Sequence, residues 1–113
     1  MKPKDIQHDE DCSRLATSLT GFALGLASED ILVPGRGTPA ISFARQVAMY
    51  LSHVALGMSL ARVARAFDRD RSTVAHACHI VEDRRDDPDF DMWIEQLEDG
   101  LRSVIPLHAK NAA

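Results

Sequence analysis

Between Asp68 and Ala77 the chain reads "DRDRSTVAHA", which sets Arg71, Ser72 and Thr73 directly behind an acid, Asp70. Asp70 is a residue type that caps a helix N-terminus by accepting a backbone N–H. Behind it, Val74, Ala77, Cys78 and Val81 recur at helical spacing. Opposite that stripe, a helical wheel places Ser72, His76 and His79 outward, with Thr73 and Ala75 on the shoulders. These types suit nucleic-acid chemistry. Arginine can donate two parallel bonds to guanine, Ser and Thr can bond a base edge or a phosphate, and a Thr methyl or an Ala can lie against thymine. N–H groups at a helix start also favour a phosphate. The same residues would equally serve as first-turn polars on a solvated helix, so the elements around them decide their use.

Immediately upstream, Ser59 is a suitable N-cap for a short helix to Phe67, and Leu60, Val63, Ala64 and Phe67 form its apolar stripe. A turn of about three residues joins the two stripes, which is the spacing of a helix-turn-helix. That arrangement projects the start of its second helix into a DNA major groove. The second helix reaches about Arg85 and ends at Pro88. Earlier, Leu15, Leu19, Phe22 and Leu26 predict a helix from about Asp11 to Leu26, with these four as its core face. Asp30 introduces a short apolar turn, and "PGRG" leaves 33–38 as a loop. Phe43, Val47, Leu51 and Val54 predict a helix from Pro39 or Phe43 to Leu56, stopped by a left-handed Gly57. A last helix, about Asp89 to Val104, is expected to bury Met92 or Trp93, Leu97, Leu101 and Val104. No strand-like alternation of useful length occurs. The expectation is one all-α, five-helix domain over 11–105, with 1–10 and 106–113 as flexible ends.

Composition agrees with this. A chain of 113 residues, 45% apolar and 5% aromatic, suits one helical domain. No apolar run approaches the ~18–20 residues of a membrane span, and "MKPKDIQHDEDCS" lacks the apolar stretch of a secretory signal. Cys12 and Cys78 are too few and too far apart for a disulfide framework, which points to a reduced, cytoplasmic setting. The net charge of −4 is segregated. Residues 45–85 hold seven arginines against four acids, a net of +3, whereas 86–113 hold seven acids against two bases, a net of −5. The basic island coincides with the two stripes, and the acidic run "EDRRDDPDFD" is most simply a solvated helix end, with repulsion of DNA at that edge as the alternative.

Other chemistries find less support. His76 and His79 point away from Cys78, so the three cannot share one ion, and His8 with Cys12 is only a pair. No nucleophile, base and orienting group are suggested by spacing, so neither an enzyme nor a metal or cofactor is expected. Trp93 reads as core or near-core, with a partner-binding groove as its other use.

The stretch "ARQVAMYLSHVALGMSLARVARAFDRDRSTVAHACHIVED" resembles the C-terminal DNA-binding domain of the bacterial chromosomal replication initiator DnaA, a Trp-repressor-like helix-turn-helix fold. Arg45-Gln46-Val47-Ala48-Met49 resembles that family's "RQ-x-AM-x-L" helix, and Ser59-Leu60 through Phe67 its "SL-x-x-I-G-x-x-F" helix. Arg69 through Cys78 resembles its signature, approximately "RDHTTVLHACRKIE". The resemblance implies base contacts from Asp70, Arg71, Ser72 and Thr73. Arg69, His76 and Ser59 lie around them, and Arg45 is set to meet a phosphate. Three departures stand out. Arg71 replaces a family histidine, the single Asp68 replaces a glycine pair, and Phe43 occupies the place of a minor-groove arginine, for which only Arg36 could substitute. Nothing matches a nucleotide-binding P-loop. The implied function is sequence-specific binding of double-stranded DNA without a nucleotide, by a module standing alone and associated with the nucleoid. It would serve as a transcriptional regulator or as a modulator of replication initiation. A second copy is a candidate partner, since many helix-turn-helix regulators read paired half-sites. The competing function is a protein-interaction or dimerisation module on the same fold that no longer binds DNA.

Overall fold

The computed structural model describes residues 3–33, 35 and 37–104, which form six helices and no strand among them. These are α1 (Pro3–Leu24), α2 (Ser28–Leu32), α3 (Pro39–Val54), α4 (Leu60–Phe67), α5 (Arg71–Arg84) and α6 (Pro88–Ser103). The helix beyond the expected five is α2, where a short apolar turn was predicted; it is a single turn that buries Ile31 completely.

The centre of the domain is α3. Thr38 caps it, with its Oγ1 accepting from the Ile41 N–H at 3.2 Å, and Pro39 fits the first turn, where no N–H partner is needed. From Ala44 to Ser52 every residue but Gln46 is buried, so α3 is covered on all sides. One core lies between α3, α1 and α6, around Leu51, Tyr50, Ile94 and Leu101. The other lies between α3, α4 and α5, around Ala48, Met58, Val63 and Val74. The expected Gly57 stop is present, with φ +71.

Of the face predicted for α1, Leu19 packs against the core, but Leu15 and Phe22 do not. Phe22 is 86% exposed and Leu15 36%, while Asp9, Ser13, Ala16, Thr17 and Thr20 are buried. Hydroxyl chemistry explains how such a face can be buried. Thr17 and Thr20 donate to the carbonyls of Ser13 and Ala16, each at 2.8 Å, so no polar group is orphaned and small side chains let α3 approach closely. The helix also begins at Pro3, so residues 3–10, expected to be flexible, form its first turns. Asp9 anchors them: Arg62 of α4 donates to its Oδ1 from Nη2 at 2.6 Å and to its Oδ2 from Nε at 3.0 Å.

In α6 the register also differs from the expected one. Phe90, Ile94, Leu97 and Leu101 face inward, whereas Met92 and Val104 are exposed at 60% and 56%. Pro88 both follows α5 and opens α6, and the Asp87 carboxylate ahead of it accepts from the Asp89 N–H at 3.0 Å. Phe43, Phe90 and Trp93 form an aromatic seam between α3 and α6, with the Arg84 guanidinium 4.6 Å from the Phe43 ring centre and 4.4 Å from that of Phe90. Trp93 is thus near-core. The tail from 106 onward lies outside the described residues.

The end of α5 is tied down by a polar network. Arg85 donates from Nη1 to the Tyr50 hydroxyl at 3.0 Å and to Glu98 at 3.1 Å, and from Nε to Asp91 at 2.5 Å. Tyr50 in turn donates to Glu82 at 2.8 Å. Burial first, and the bond to Glu82 second, push the Tyr50 phenol up to about 12.

The Asp9–Arg62 pair gives a pH test. The Arg62 hydrogen bonds outweigh burial and hold the Asp9 carboxyl below its ordinary 3.8. A depressed folded-state value means that the pair stabilises the fold above about pH 4 and loses that contribution as pH falls below it. Asp9→Asn should therefore lower stability at pH 7, and the gap to wild type should close in urea titrations below pH 4. A gap constant down to pH 2.5 would contradict this.

Candidate nucleic-acid interface

The two helices of the helix-turn-helix are packed by the stripes the sequence shows. Val63, Ala64 and Phe67 of α4 meet Val74 and Ala77 of α5 in one core, with Leu60 and Cys78 partly buried beside them. Removing each valine from water contributes roughly 2 kcal/mol, more than the ~1 kcal/mol of a cap, so the stripes fix the pairing of the two helices. Ser59 is exposed and its Oγ accepts the Arg62 N–H at 3.2 Å, so it caps α4.

The turn is Asp68-Arg69-Asp70. Asp68 adopts a left-handed conformation, φ 54 and ψ 52, and is the one described non-glycine residue with positive φ. Its N–H donates to the Arg65 carbonyl at 3.2 Å, and the Arg69 N–H to that of Ala64 at 2.8 Å, which closes α4. A single aspartate performs the reversal expected of glycine, because aspartate tolerates this region better than most residues.

Asp70 stands at the N-cap of α5 with extended backbone, but its side chain makes no capping hydrogen bond. The expected carboxylate cap is thus corrected: Asp70 occupies the position, its carbonyl accepts from the Val74 N–H at 3.2 Å, and its carboxylate is turned to solvent. Arg71, Ser72, Thr73 and His76 are all exposed on the first turns of the same helix. His79 is exposed one turn further on. Cys78 is partly buried, and burial above all pushes its thiol up to about 11, which keeps it protonated. In α1, the Cys12 thiol lies 3.5 Å from His8 Nε2, and burial raises it too.

Arg45 does not face outward. It is 6% exposed, and its guanidinium donates from Nε to the Ile31 carbonyl at 2.9 Å, from Nη1 to Gly35 at 3.0 Å and from Nη2 to Val33 at 3.2 Å. The expected phosphate contact is replaced by a clamp on the segment after α2. Its neighbours on the helix wheel, Ala48, Met49 and Ser52, are all buried, a signal already present in the spacing. Arg69 reaches the same segment from the turn, and its Nη2 donates to Val33 at 3.1 Å and Gly35 at 3.2 Å. Its Nε is buried with no hydrogen-bond partner among the described residues. Burial first, and the Arg69 charge second, lower the Arg45 guanidinium below its ordinary value. Sequence reasoning missed this sharing of backbone acceptors, since a carbonyl carries no residue signature. Arg36 lies outside the described residues. The structure therefore gathers Arg69, Asp70, Arg71, Ser72, Thr73 and His76 at one helix start, keeps Ser59 as a cap, and withdraws Arg45 inside.

The bacterial dnaA protein helix-turn-helix family matches residues 20–81, more than half of the chain. A solved structure of a DNA replication initiation factor superimposes with a TM-score of 0.78 at 30% sequence identity, covering 88% of this chain and 31% of that one. Another, of the replication initiator DnaA bound to AMPPCP and single-stranded DNA, gives 0.76 at 29% identity, covering 88% and 30%. The chain thus spans just under a third of the length of these two proteins.

The geometry separates structural from presented arginines. Arg45→Ala should cost about 3 kcal/mol, since three carbonyls lose a charged donor, while Arg71→Ala should stay within about 0.5 kcal/mol of wild type. Asp68→Gly should gain about 0.5–1 kcal/mol by relieving the left-handed aspartate. Urea unfolding reads all three; an Arg45→Ala protein as stable as wild type, or a destabilised Asp68→Gly, would contradict these assignments.

Proposed function

Because the chain belongs to the bacterial DnaA helix-turn-helix family, we propose that it binds double-stranded DNA sequence-specifically through the start of α5. The observation that carries this reading is the exposure of Arg71, Ser72, Thr73 and His76 together on a helix whose opposite face and far end are held by the core and by Arg85. In the major groove, Arg71 would donate to guanine and Asp70 would accept from the amino group of cytosine. The Ser72 and Thr73 hydroxyls would take base edges or a phosphate. The Asp70 side chain does not cap α5, so N–H groups of its first turn remain to meet a backbone phosphate.

Charge supports the same orientation. Arg71 offers an exposed positive charge at the start of α5, and exposed acids of α6, such as Asp89, Glu95 and Asp99, mark an edge that would repel DNA. Phe43 is packed into the aromatic seam with Trp93 and Phe90, so specificity would rest on the major-groove residues of α5. As a module acting by itself on the nucleoid, the protein would regulate transcription or modulate replication by occupying sites of the initiator. No described helix is long and apolar enough to cross a membrane.

Selection from a pool of random duplexes tests this directly. Wild type should enrich one motif, with an affinity whose logarithm falls linearly with the logarithm of salt concentration. Arg71→Ala should lose about 1–3 kcal/mol and relax discrimination at one base pair. No enriched motif, or an affinity indifferent to salt, would overturn the reading.

A further inference from the structure

The edge at the start of α5 carries no net charge. Asp68, Arg69, Asp70 and Arg71 follow one another, two carboxylates against two guanidinium groups. Asp68, Arg69, Asp70 and Thr73 line one open hollow of about 360 Å³ there. The other arginines of the basic island do little to shift that balance. Arg45 and Arg69 donate to backbone carbonyls, Arg62 to Asp9 and Arg85 to Glu98. Arg65 lies 3.9 Å from Asp9, and Arg84 lies over two aromatic rings. No lysine occurs between Lys4 and Lys110. Attraction to phosphates independent of sequence comes from charges of this kind, and among the described arginines of the island only Arg71 is left to supply it.

Asp70 is the acid of that edge whose side chain has no structural task. Its carboxylate is exposed, makes no capping bond, and takes part in none of the ion pairs among the described residues. Asp68, by contrast, is the left-handed residue that turns the chain. An ionised carboxylate can only accept hydrogen bonds. Brought into a groove between phosphates it loses its water, and an acceptor left unmade costs more for a charged group than for a neutral one. The floor of the major groove offers it donors of two kinds, the N4 amine of cytosine and the N6 amine of adenine. Guanine and thymine present acceptors there.

We infer that Asp70 sets specificity by rejection, admitting a duplex only where cytosine or adenine presents an unmodified exocyclic amine to it, an inference that rests on the DNA-binding reading above. Repulsion built against wrong partners discriminates as well as attraction to the right one. Two consequences separate this role from a purely structural one. Removing the charge strengthens the hold on unrelated DNA while it weakens discrimination, whereas loss of a structural residue weakens both. The second consequence concerns the base. One amine hydrogen is held in the base pair, so a methyl group on that nitrogen takes the place of the hydrogen that points into the major groove. Methylation of the one amine that Asp70 reads therefore removes its donor and closes the site.

The test uses the full chain, a duplex carrying the selected motif, a scrambled duplex, and copies of the motif with N4-methylcytosine or N6-methyladenine at one position at a time. For wild type, methylation at one position should weaken binding about 5- to 150-fold, the usual cost of one wrong base pair. Asp70→Ala, which has no acceptor, should bind that methylated duplex and the unmethylated one alike. Asp70→Asn keeps a residue type that caps helices equally well, and should hold the scrambled duplex roughly 2- to 10-fold more tightly than wild type at low salt. Wild-type binding indifferent to methylation at every position, or a penalty that Asp70→Ala retains, overturns the inference alone. An Asp70→Asn protein that holds the scrambled duplex no better than wild type also overturns it, and returns Asp70 to a structural role. Failure of wild type to enrich any motif overturns the DNA reading and this inference with it.

Discussion

The position of α5, the helix proposed to meet DNA, depends on two arginines that share backbone acceptors. Arg45, inside α3, and Arg69, in the turn, both donate to the carbonyls of Val33 and Gly35. Like charges placed so close would drive the elements apart unless something neutral but strongly polar lay between them. The segment after α2 supplies it. Backbone carbonyls have no alternative partner inside a helix ladder here, so they can accept from both guanidinium groups. The central helix, the loop and the turn are joined at one point, and the first turn of α5 begins immediately beyond it.

The other end of α5 is fixed by different means. Arg85 bridges Tyr50 of α3 and Glu98 and Asp91 of α6, while Arg84 lies over the rings of Phe43 and Phe90. Of the basic residues in the middle of the chain, Arg45, Arg62, Arg69 and Arg85 are thus engaged in holding helices together. The net positive charge of that region overstates what is offered to a ligand. Arg71, at the helix start, is placed differently: it is exposed, with apolar packing only behind it. This division explains how an acidic chain can still expose an unengaged arginine, Arg71, at the start of α5.

The helix-turn-helix was legible because its physics is local. A Ser cap, two apolar stripes and a three-residue turn specify it with no information from elsewhere, and the structure places Val63, Ala64, Phe67, Val74 and Ala77 in one core as the spacing requires. The resemblance to the DnaA family rested on the same stretch. What was not legible depended on partners distant in sequence. On α1 the apolar stripe was right at Leu19 but wrong at Leu15 and Phe22, because threonines that bond their own helix can be buried as readily as leucines. On α6 the spacing admitted two registers, and only the aromatic seam with Phe43 selects Phe90 and Ile94 over Met92. The resemblance placed Arg45 on a phosphate, whereas its neighbours on the wheel already placed it on a buried face.

On the proposed function, the start of α5 meets DNA while most of the basic residues around it hold the frame. Amide chemical-shift changes on titration with a short duplex carrying the selected motif test it most directly. The largest changes are expected from Arg69 to His76, with Glu95 and Asp99 on α6 unmoved. Changes concentrated in α1 and α6, with Arg71, Ser72 and Thr73 silent, would contradict it.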